Sequence, residues 1–282
     1  MLGRVLVIGG SDSGGGAGVQ ADIKTVTVLG AFATSAITSI TVQNTRGVRG
    51  VHHVPVATVR AQIDAVLEDI GTDAIKTGML GSAAITAAVA NAIAAFSSDR
   101  RPALVVDPVM IAKGGASLLE DDAVAVLRKE LLPLAAVVTP NAPEAELLTG
   151  VKIRDVRGQI EAARALVAMG ARAAVVKGGH VAPGENEPTI ELSIDDVLLE
   201  RDGEPIVFRH ARVVSTSTHG TGCTLASAIA TFLARGLSLR DAVERARRYV
   251  REAIIAAPRL GGGHGPMHHG WPIPTDADLI AR

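Results

Sequence analysis

Short runs of β-branched and small apolar residues, each stopped by a glycine, a proline or a polar residue, limit what this chain can fold into. The runs are VLVIGG (5–10), AITSITVQN (36–44), AIKTGML (74–80), ALVVDPVM (103–110), LAAVVTPN (134–141) and AAVVKGGH (173–180). Stretches with helical spacing of apolar residues separate them, and residues 56–69 are the clearest example. Alternating strands and helices predict an α/β fold, a three-layer α/β/α sandwich around a mostly parallel central sheet.

The composition supports a sheet buried on both faces. Hydrophobic residues make up 48% of the chain and aromatic residues only 2%, so the core must be aliphatic. No shift in composition divides the sequence, and we expect residues 1–282 to form a single domain. The net charge of −1 and the scarcity of aromatic rings argue against nucleic acid or a membrane as partner. A lone cysteine excludes an internal disulfide and fits a cytoplasmic protein.

Polar residues and glycines gather where the predicted strands end. They are Gly9-Gly10-Ser11-Asp12, Gln43-Asn44, Lys76-Thr77-Gly78, Asp107, Asn141 and Lys177-Gly178-Gly179. Ligands of open α/β sheets bind outside the carboxyl ends of the strands. The sequence therefore predicts one site along that edge of the sheet.

The segment GGSDSGGGAGVQAD (9–22) indicates phosphate or nucleotide binding, although a flexible turn would also explain its glycines. A P-loop is excluded because no lysine follows the glycines. A dinucleotide fingerprint fits residues 16–21 poorly, because no acid lies about 20 residues further on to hold a ribose. Asp22 falls early in the next helix, where it could complement the helix dipole or accept hydrogen bonds from a ligand.

Two further motifs leave a functional and a structural interpretation open. Asn141 and Glu144 lie three residues apart at a helix start, so they could hold Mg²⁺ or simply cap the helix around Pro143. Lys177 ends an apolar strand and precedes two glycines, which favours a cation that neutralises phosphate over an ordinary surface lysine.

The segment HGTGCTLASAIA (219–230) carries the strongest prediction. Its glycines let the N–H groups of residues 220–223 point outward at a helix N-terminus, which makes an anion site. The same position should lower the pKa of the Cys223 thiol. A buried structural cysteine is the alternative, but it would not explain the glycines.

Other features favour structural interpretations. Residues 181–189 are the most loop-like interior stretch, and His52-His53 is predicted to be an exposed turn. The tail 261–271 contains three histidines without a nearby acid, so it is expected to be structural rather than a metal site. The arginines of the last helix are expected on its solvated face; they are Arg245, Arg247, Arg248 and Arg251.

Taken together, these segments resemble the hydroxymethylpyrimidine/phosphomethylpyrimidine kinases of thiamin biosynthesis, members of the ribokinase superfamily. The resemblance rests on GGSDSGGGAGVQADIKT, ITVQNTRGV, KTGMLGS, VDPVMIAKGG, TPNAPEAELLTG, KGGH and THGTGCTLASAIA, and it runs from about Val5 to the GPMHH of the tail. It implies a ribokinase-like kinase domain, usually a homodimer, that uses ATP and Mg²⁺ to phosphorylate 4-amino-5-hydroxymethyl-2-methylpyrimidine and then its monophosphate. A monovalent cation as a further cofactor is left open.

The resemblance also implies roles for individual residues. The pyrimidine pocket would be lined by Gly10, Asp22, Gln43, Met79 and Val109. Asp22 and Gln43 would hydrogen-bond the ring and its amino group. The residues implied around Mg²⁺ are Asp107, Asn141 and Glu144, and those implied around ATP are Lys177, Asn141 and Gly222.

The implied catalytic set consists of Lys177 and the anion-hole segment Gly220, Thr221, Gly222 and Cys223. Most sugar kinases of the superfamily carry an aspartate as catalytic base where this chain has Cys223. The resemblance therefore implies that Cys223 accepts or steers the proton of the attacking hydroxyl, and that phosphoryl transfer is direct.

Three other functions are weighed against this one. A pyridoxal or pyridoxine kinase of the same superfamily would also phosphorylate a hydroxymethyl group on an aromatic nitrogen ring. An NAD-dependent oxidoreductase would need the ribose-binding acid that the sequence lacks. A non-catalytic ligand-binding regulator would have little reason to keep the whole set of phosphate-binding and metal-binding residues.

Overall fold

The computed structural model describes residues 2–110, 121–179 and 193–271. Within these ranges nine strands form one sheet. They are β1 (Arg4–Asp12), β2 (Phe32–Asn44), β3 (Gly47–His53), β4 (Ala74–Thr77), β5 (Ala103–Val106), β6 (Val137–Val138), β7 (Ala173–Val176), β8 (Ser193–Glu200) and β9 (Ile206–Ala211). Their order is β3-β2-β1-β4-β5-β6-β7-β8-β9. The six strands from β2 to β7 in this order pair in parallel, while β3, β8 and β9 pair antiparallel, which confirms the mostly parallel sheet.

Helices cover both faces of this sheet. They are α1 (Gly18–Val28), α2 (Val56–Asp69), α3 (Ala83–Ala94), α4 (Asp121–Val126), α5 (Ala142–Thr149), α6 (Val156–Ala168), α7 (Thr221–Ala234) and α8 (Leu239–Ile255). A π-helical turn (Leu127–Leu131) and a 3-10 turn (Leu132–Leu134) continue α4. Helices α1, α7 and α8 pack on one face, and α2 to α6 pack on the other, so the predicted three-layer sandwich is confirmed.

The alternation of apolar side chains along β1 shows why the sheet needs two helical layers. Leu6 and Ile8 point into the core under α2 and α3, whereas Val5 and Val7 point into the core under α1 and α7. All four side chains are fully buried. A strand that is apolar on both sides belongs in the middle of a covered parallel sheet, as the sequence predicts.

Helix α5 illustrates how local sequence fixes an element beside the strand ends. The Asn141 side chain accepts a hydrogen bond from the Glu144 N–H, and the Glu144 carboxylate accepts one from the Asn141 N–H, which completes a capping box. Pro143 occupies the first turn, and Gly150 ends the helix with a left-handed φ of 76°. The helix start predicted around Pro143 is confirmed.

Three structural expectations need correction. Residues 52 and 53 are exposed, but they belong to the edge strand β3, and His53 Nδ1 lies 2.8 Å from Ser39 Oγ. Arg247 is not on a solvated face. Its Nε donates to Asp196 Oδ2 at 2.6 Å, and its guanidinium lies 4.9 Å from the centre of the Phe208 ring. The strand predicted from the run that begins at Ala173 ends at Val176, and Lys177 forms only an isolated bridge with Asn141.

The loop predicted over residues 181–189 lies outside the described residues. Among the helices that are described, none combines the length and the apolar character that crossing a bilayer requires.

Candidate active site

The glycine segment after β1 is organised by one buried carboxylate. Asp12 is 3% exposed and accepts hydrogen bonds from the N–H groups of Gly14, Gly16 and Ala17 at 2.8, 3.0 and 2.8 Å. His219 Nε2 lies 2.9 Å from Asp12 Oδ2. Burial would raise the pKa of Asp12, but the hydrogen bonds from His219 and the backbone outweigh it and hold the pKa below its usual value. Asp12 is therefore an ionised anchor for the loop.

Gly10 and Met79 form one contact at the ends of β1 and β4. A Cβ atom placed on Gly10 would lie 2.4 Å from Met79 Cε, so Met79 occupies the space that a side chain at position 10 would need. Both residues are buried. Val109, two residues beyond Asp107, is partly exposed, and its N–H bonds the Asp107 carbonyl at 2.8 Å. The structure thus brings Gly10 and Met79 together, and their contact with a pyrimidine stays a prediction.

Gln43 lies at the end of β2 beside the Asp12–His219 pair. Its Nε2 is 3.2 Å from His219 Nε2, and its Oε1 is 3.3 Å from Thr41 Oγ1. His219 carries no assigned role in the sequence prediction, yet it joins the glycine segment, β2 and the segment that leads into α7. Its position directly before Gly220, at the start of the predicted anion-hole segment, is the sequence feature that could have indicated a role for His219.

Asp22 faces a buried lysine. Lys76 Nζ donates to both carboxylate oxygens of Asp22 at 2.9 and 2.8 Å, and Ser227 Oγ donates to Oδ1 at 2.7 Å. Neither Asp22 nor Lys76 is exposed. The implied hydrogen bond from Asp22 to the pyrimidine stays a prediction, and its carboxylate already has protein donors on both oxygens. The sequence prediction gives Lys76 no individual role, although a lysine within the apolar run AIKT is a sign that its side chain has a buried partner.

Asp107 and Lys177 meet beside the anion-hole segment. Lys177 Nζ lies 3.1 Å from Asp107 Oδ1. A Cβ atom placed on Gly222 would lie 3.2 Å from Lys177 Nζ and 3.5 Å from Asp107 Oδ2, so the glycine permits this close approach. Burial opposes the charge on Lys177, but Asp107 and Glu144 hold its pKa above the usual value. A permanent cation therefore stands at the start of α7.

Asn141 and Glu144 lie next to this pair, but their oxygens are partly committed to the capping box. Burial raises the pKa of Glu144 to about 7; Lys177 opposes the rise and Asp107 adds to it. The described residues contain no group of three or more His, Cys, Asp and Glu side chains placed to share a metal ion. Mg²⁺ needs only one or two protein carboxylates when phosphate and water complete its shell, so this donor set fits Mg²⁺ held largely through waters.

The start of α7 has a geometry that would suit a bound anion, and the anion site itself stays a prediction. Gly220 has a left-handed φ of 81°, and a Cβ atom there would lie 1.9 Å from the Gly16 carbonyl oxygen, so only glycine fits. The helix begins at Thr221, within the segment 220–223 expected at a helix N-terminus. No side chain caps it and its first turn contains no acid. Its first N–H groups, from Thr221 to Cys223, are thus available to a bound anion.

The expected low pKa of Cys223 is wrong. Burial raises the pKa of this thiol to about 11, and nearby Asp22 and Asp107 add to the rise. Lys76 and the Gly18 N–H act in the opposite direction but do not outweigh burial. The helix N-terminus alone therefore does not decide the ionisation of this thiol, because desolvation and carboxylates act on the same atom.

The histidine-containing tail packs against the site. His219 and Pro266 form a parallel β-bridge, and the His264 N–H bonds the Thr45 carbonyl at 2.8 Å. His269 is buried, its Nε2 lies 3.0 Å from Thr224 Oγ1, and burial lowers its pKa to about 4. A neutral imidazole in a hydrogen bond to α7 fits the predicted structural role.

The carboxyl ends of β1, β2, β4, β5, β6 and β7 thus converge on the start of α7, with a cation, an ionised carboxylate and free helical N–H groups together. A family model described as phosphomethylpyrimidine kinase matches residues 12–268, which contain all of these groups except the Gly10 end of β1. The chain belongs to the phosphomethylpyrimidine kinase family. The resemblance seen in the sequence is confirmed.

Two curated relatives show how far the similarity extends. The chain is 48% identical over 267 residues to the hydroxymethylpyrimidine/phosphomethylpyrimidine kinase of Bacillus subtilis, and the match covers 94% of both chains. It is 52% identical over 267 residues to the thiamine biosynthesis bifunctional protein ThiED of Geobacter sulfurreducens. That match covers 95% of this chain and 52% of the relative, so the chain spans about half of that longer protein.

Solved structures of kinases share the fold. The phosphomethylpyrimidine kinase of Clostridium difficile superposes with a TM-score of 0.75 at 38% identity, covering 89% of this chain and 99% of that one. A pyridoxal kinase of Staphylococcus aureus, in complex with AMP-PCP and pyridoxal, gives a TM-score of 0.84 at 32% identity and covers 96% and 94%. Membership of this kinase family implies the use of ATP.

Proposed function

We propose that this phosphomethylpyrimidine kinase family member transfers the γ-phosphoryl group of ATP to the hydroxymethyl group of 4-amino-5-hydroxymethyl-2-methylpyrimidine. A second transfer then converts the monophosphate into the diphosphate. The observation that carries the proposal is the uncapped start of α7, where Gly222 approaches Lys177 and Asp107. The sequence similarity to kinases that carry this substrate in their name supports the same function.

The anion hole and Lys177 supply most of the catalysis in this account. Phosphoryl transfer has a loose transition state, so an enzyme accelerates it by positioning the reactants and stabilising charge. The N–H groups of Thr221, Gly222 and Cys223 hold the γ-phosphoryl oxygens, and Lys177 neutralises their charge. The hydroxyl oxygen forms the new P–O bond as the bond to ADP breaks.

Cys223 steers the attacking hydroxyl. A pKa of about 11 keeps the thiol protonated near neutral pH, so the sulfur has no free charge with which to abstract a proton. Its lone pairs still accept a hydrogen bond from the hydroxymethyl group, and the proton leaves to a product phosphate oxygen or to solvent. Cys223→Ser should lower kcat strongly and leave the KM for MgATP nearly unchanged.

The substrate ring lies in the pocket that the resemblance assigns to Gly10, Asp22, Gln43, Met79 and Val109. Gly10 supports this assignment, because its missing side chain lets Met79 approach the end of β1. Lys177, Asn141 and Gly222 contact ATP. The family fold brings these residues to one edge of the sheet.

Mg²⁺ held near Asp107 would supply positive charge against the phosphates. Asp107 would be the main carboxylate toward its water shell, because the donors that bond it among the described residues, Lys177 and Thr139, both bond Oδ1 and not Oδ2. Asn141 and Glu144 would contribute oxygens from the start of α5. A monovalent cation beside the site belongs to the proposal as an optional addition.

The remaining parts of the proposal concern the whole molecule. Residues 1–282 form one kinase domain, and it works in the cytoplasm. Two copies associate through β2, where Ile40 is 51% and Val42 is 60% exposed on one face beside the open edge of β3. Light scattering should show a monomer for the Ile40→Lys/Val42→Lys variant and a dimer for the control Val214→Lys, which changes a valine that is 92% exposed elsewhere.

A pyridoxal kinase is the second candidate, and the structural similarity to a pyridoxal complex favours keeping it. Mass spectrometry of the products tests the main proposal. Incubation of the pyrimidine alcohol with MgATP should give first a singly and then a doubly phosphorylated product. No phosphorylated pyrimidine, with pyridoxine phosphorylated under the same conditions, would overturn the substrate assignment.

A further inference from the structure

Three polar side chains between β2 and the start of α7 form a hydrogen-bonded network. They are Asp12, His219 and Gln43. The acceptors in this network determine which nitrogen or oxygen atoms carry the hydrogens. Asp12 Oδ2 lies 2.9 Å from His219 Nε2, and the same ring nitrogen lies 3.2 Å from the Gln43 amide nitrogen. His219 is 13% exposed at its side chain and Asp12 3%, so the pair is largely withdrawn from water.

The carboxylate decides which imidazole nitrogen carries a proton. Asp12 Oδ2 already accepts the N–H groups of Gly16 and Ala17. A carboxylate is only an acceptor when ionised, and the hydrogen bonds around Asp12 favour its ionised form. His219 must therefore carry a proton on Nε2. An unprotonated nitrogen at 2.9 Å would place its lone pair against a lone pair of Asp12 Oδ2, which is repulsive.

This assignment conflicts with one orientation of the Gln43 amide. With the amide nitrogen toward His219, two N–H donors face each other at 3.2 Å. With the amide oxygen toward Thr41 Oγ1, that hydroxyl must serve two acceptors with one hydrogen, because it already donates to the Ser11 carbonyl at 2.8 Å. Both conflicts involve the Gln43 amide, one at its nitrogen and the other at its oxygen.

A half-turn of the amide removes the two facing donors and leaves Thr41 Oγ1 with one acceptor. The amide oxygen then shares the single His219 Nε2–H with Asp12 Oδ2, as the longer branch of a three-centre hydrogen bond. The amide nitrogen donates to Thr41 Oγ1, which keeps its own hydrogen for Ser11. One N–H of the amide is left without a protein acceptor among the described residues. Gln43 is partly exposed, so this N–H is accessible to a ligand.

We propose that the Asp12–His219 pair is a positioning device that fixes the Gln43 amide so that it presents an N–H donor to the substrate. This inference rests on the proposed function, since Gln43 is a substrate residue only there. It names the chemistry that Gln43 recognises: a hydrogen-bond acceptor such as a ring nitrogen, rather than the exocyclic amino group. It also links the substrate pocket to the anion hole, because Gly220 follows His219 directly.

The tautomer of His219 gives a test that needs no activity. Long-range proton–nitrogen correlation spectra of the ¹⁵N-labelled full-length protein separate protonated from bare ring nitrogens. We expect a protonated Nε2 on His219, assigned by its loss in His219→Gln. A bare Nε2 in the wild-type protein would overturn the inference whatever the enzyme phosphorylates.

Steady-state kinetics provide the second test. His219→Leu removes the donor and should raise the KM for the pyrimidine about tenfold, with the KM for MgATP within about twofold. His219→Gln keeps an N–H near the position of Nε2 and should recover most of the loss. In the Gln43→Glu background, which has no amide N–H to orient, His219→Leu should no longer change the KM for the pyrimidine.

Two results would contradict the positioning role. One is that His219→Leu raises the KM for the pyrimidine by the same factor whether position 43 is glutamine or glutamate, because the two side chains would then act independently. The other is a failure of His219→Gln to recover the KM. If the wild-type protein phosphorylates no pyrimidine, the proposed function fails instead, and the tautomer measurement still decides the orientation of the amide.

Discussion

Lys76 Nζ lies 2.9 and 2.8 Å from the two carboxylate oxygens of Asp22, and neither side chain is exposed to solvent. The pair joins β4 to α1, and Ser227 extends it to α7, whose N-terminus is the proposed anion hole. Burial disfavours the charge on Lys76, but Asp22, Cys223 and Asp107 hold its pKa above the usual value. The ion pair therefore links β4, α1 and α7 through buried charged hydrogen bonds.

Lys76→Met should destabilise the protein by roughly 3–5 kcal/mol, because it leaves Asp22 as an unpaired buried charge. The double variant Lys76→Met/Asp22→Leu should recover much of this loss, since both charges are then absent. Urea unfolding measures the free energy of unfolding of each variant. Asp64→Ala, which breaks an exposed pair with Arg60, is the control and should change it by less than about 1 kcal/mol. A single variant as stable as the wild type would contradict the account.

The structural role of this pair marks a limit of sequence reasoning. The sequence predicts that polar residues collect at the strand ends, and Gly10, Gln43, Asp107, Asn141 and Lys177 do lie along that edge. It does not predict which polar residues pair with each other. Asp22 and Lys76 are 54 positions apart, and only the packing of α1 against β4 shows that they satisfy each other.

Gly220→Ala should lower kcat by about a hundredfold, because its Cβ would collide with the Gly16 carbonyl and displace the anion-hole N–H groups. Gly236→Ala is a matched control. Gly236 has φ of 84°, close to the 81° of Gly220, but nothing lies within 4 Å of its added Cβ. The control should lose only about 1–2 kcal/mol of stability from backbone strain and keep its kcat. Equal kcat in the two variants would contradict the role of Gly220.

Cys223 should react slowly with iodoacetamide at neutral pH. With a pKa of about 11, only about one thiol in 10⁴ is ionised at pH 7. The alkylation rate should rise about tenfold for each pH unit between roughly pH 7 and 9. The chain unfolded in urea serves as the control, and its rate should level off near the ordinary thiol pKa of about 8.5. A plateau near pH 7 in the folded protein would show that the helix N-terminus dominates after all.

Glu144 should make the stability fall as pH rises. Burial raises its pKa from 4.5 to about 7, so the folded state keeps a proton that the unfolded state has lost between these values. Stability from this group is complete below about pH 4.5 and is lost progressively up to about pH 7, by up to roughly 3 kcal/mol. Glu144→Gln keeps the capping box acceptor and should remove this slope from urea unfolding curves measured across the window.

The same variant addresses the metal. Removing the carboxylate should raise the Mg²⁺ concentration needed for half-maximal turnover, because one of the oxygens that orient the metal waters becomes neutral. An unaltered Mg²⁺ titration would leave Glu144 as a helix cap only, as the alternative interpretation of its motif has it.

Other differences between the predictions and the structure arise from exposure and tertiary packing, which the local pattern of residues does not show. Edge strand β3 is missed because GVRGVHH is exposed and has no apolar alternation to mark it. The pKa of Cys223 depends on the burial that α1 and β4 impose, and not only on the helix dipole. Where one short segment contains the whole cause, as Asn141, Pro143 and Glu144 do at the start of α5, the predicted helix start is confirmed.

Competition between two alcohols in one reaction tests the central claim most directly. The protein would receive MgATP with equal concentrations of 4-amino-5-hydroxymethyl-2-methylpyrimidine and pyridoxine, and the initial rates of both phosphorylated products would be measured. We predict that the pyrimidine product forms about tenfold faster or more, as the ratio of the two kcat/KM values requires. Exclusive phosphorylation of pyridoxine would contradict the account.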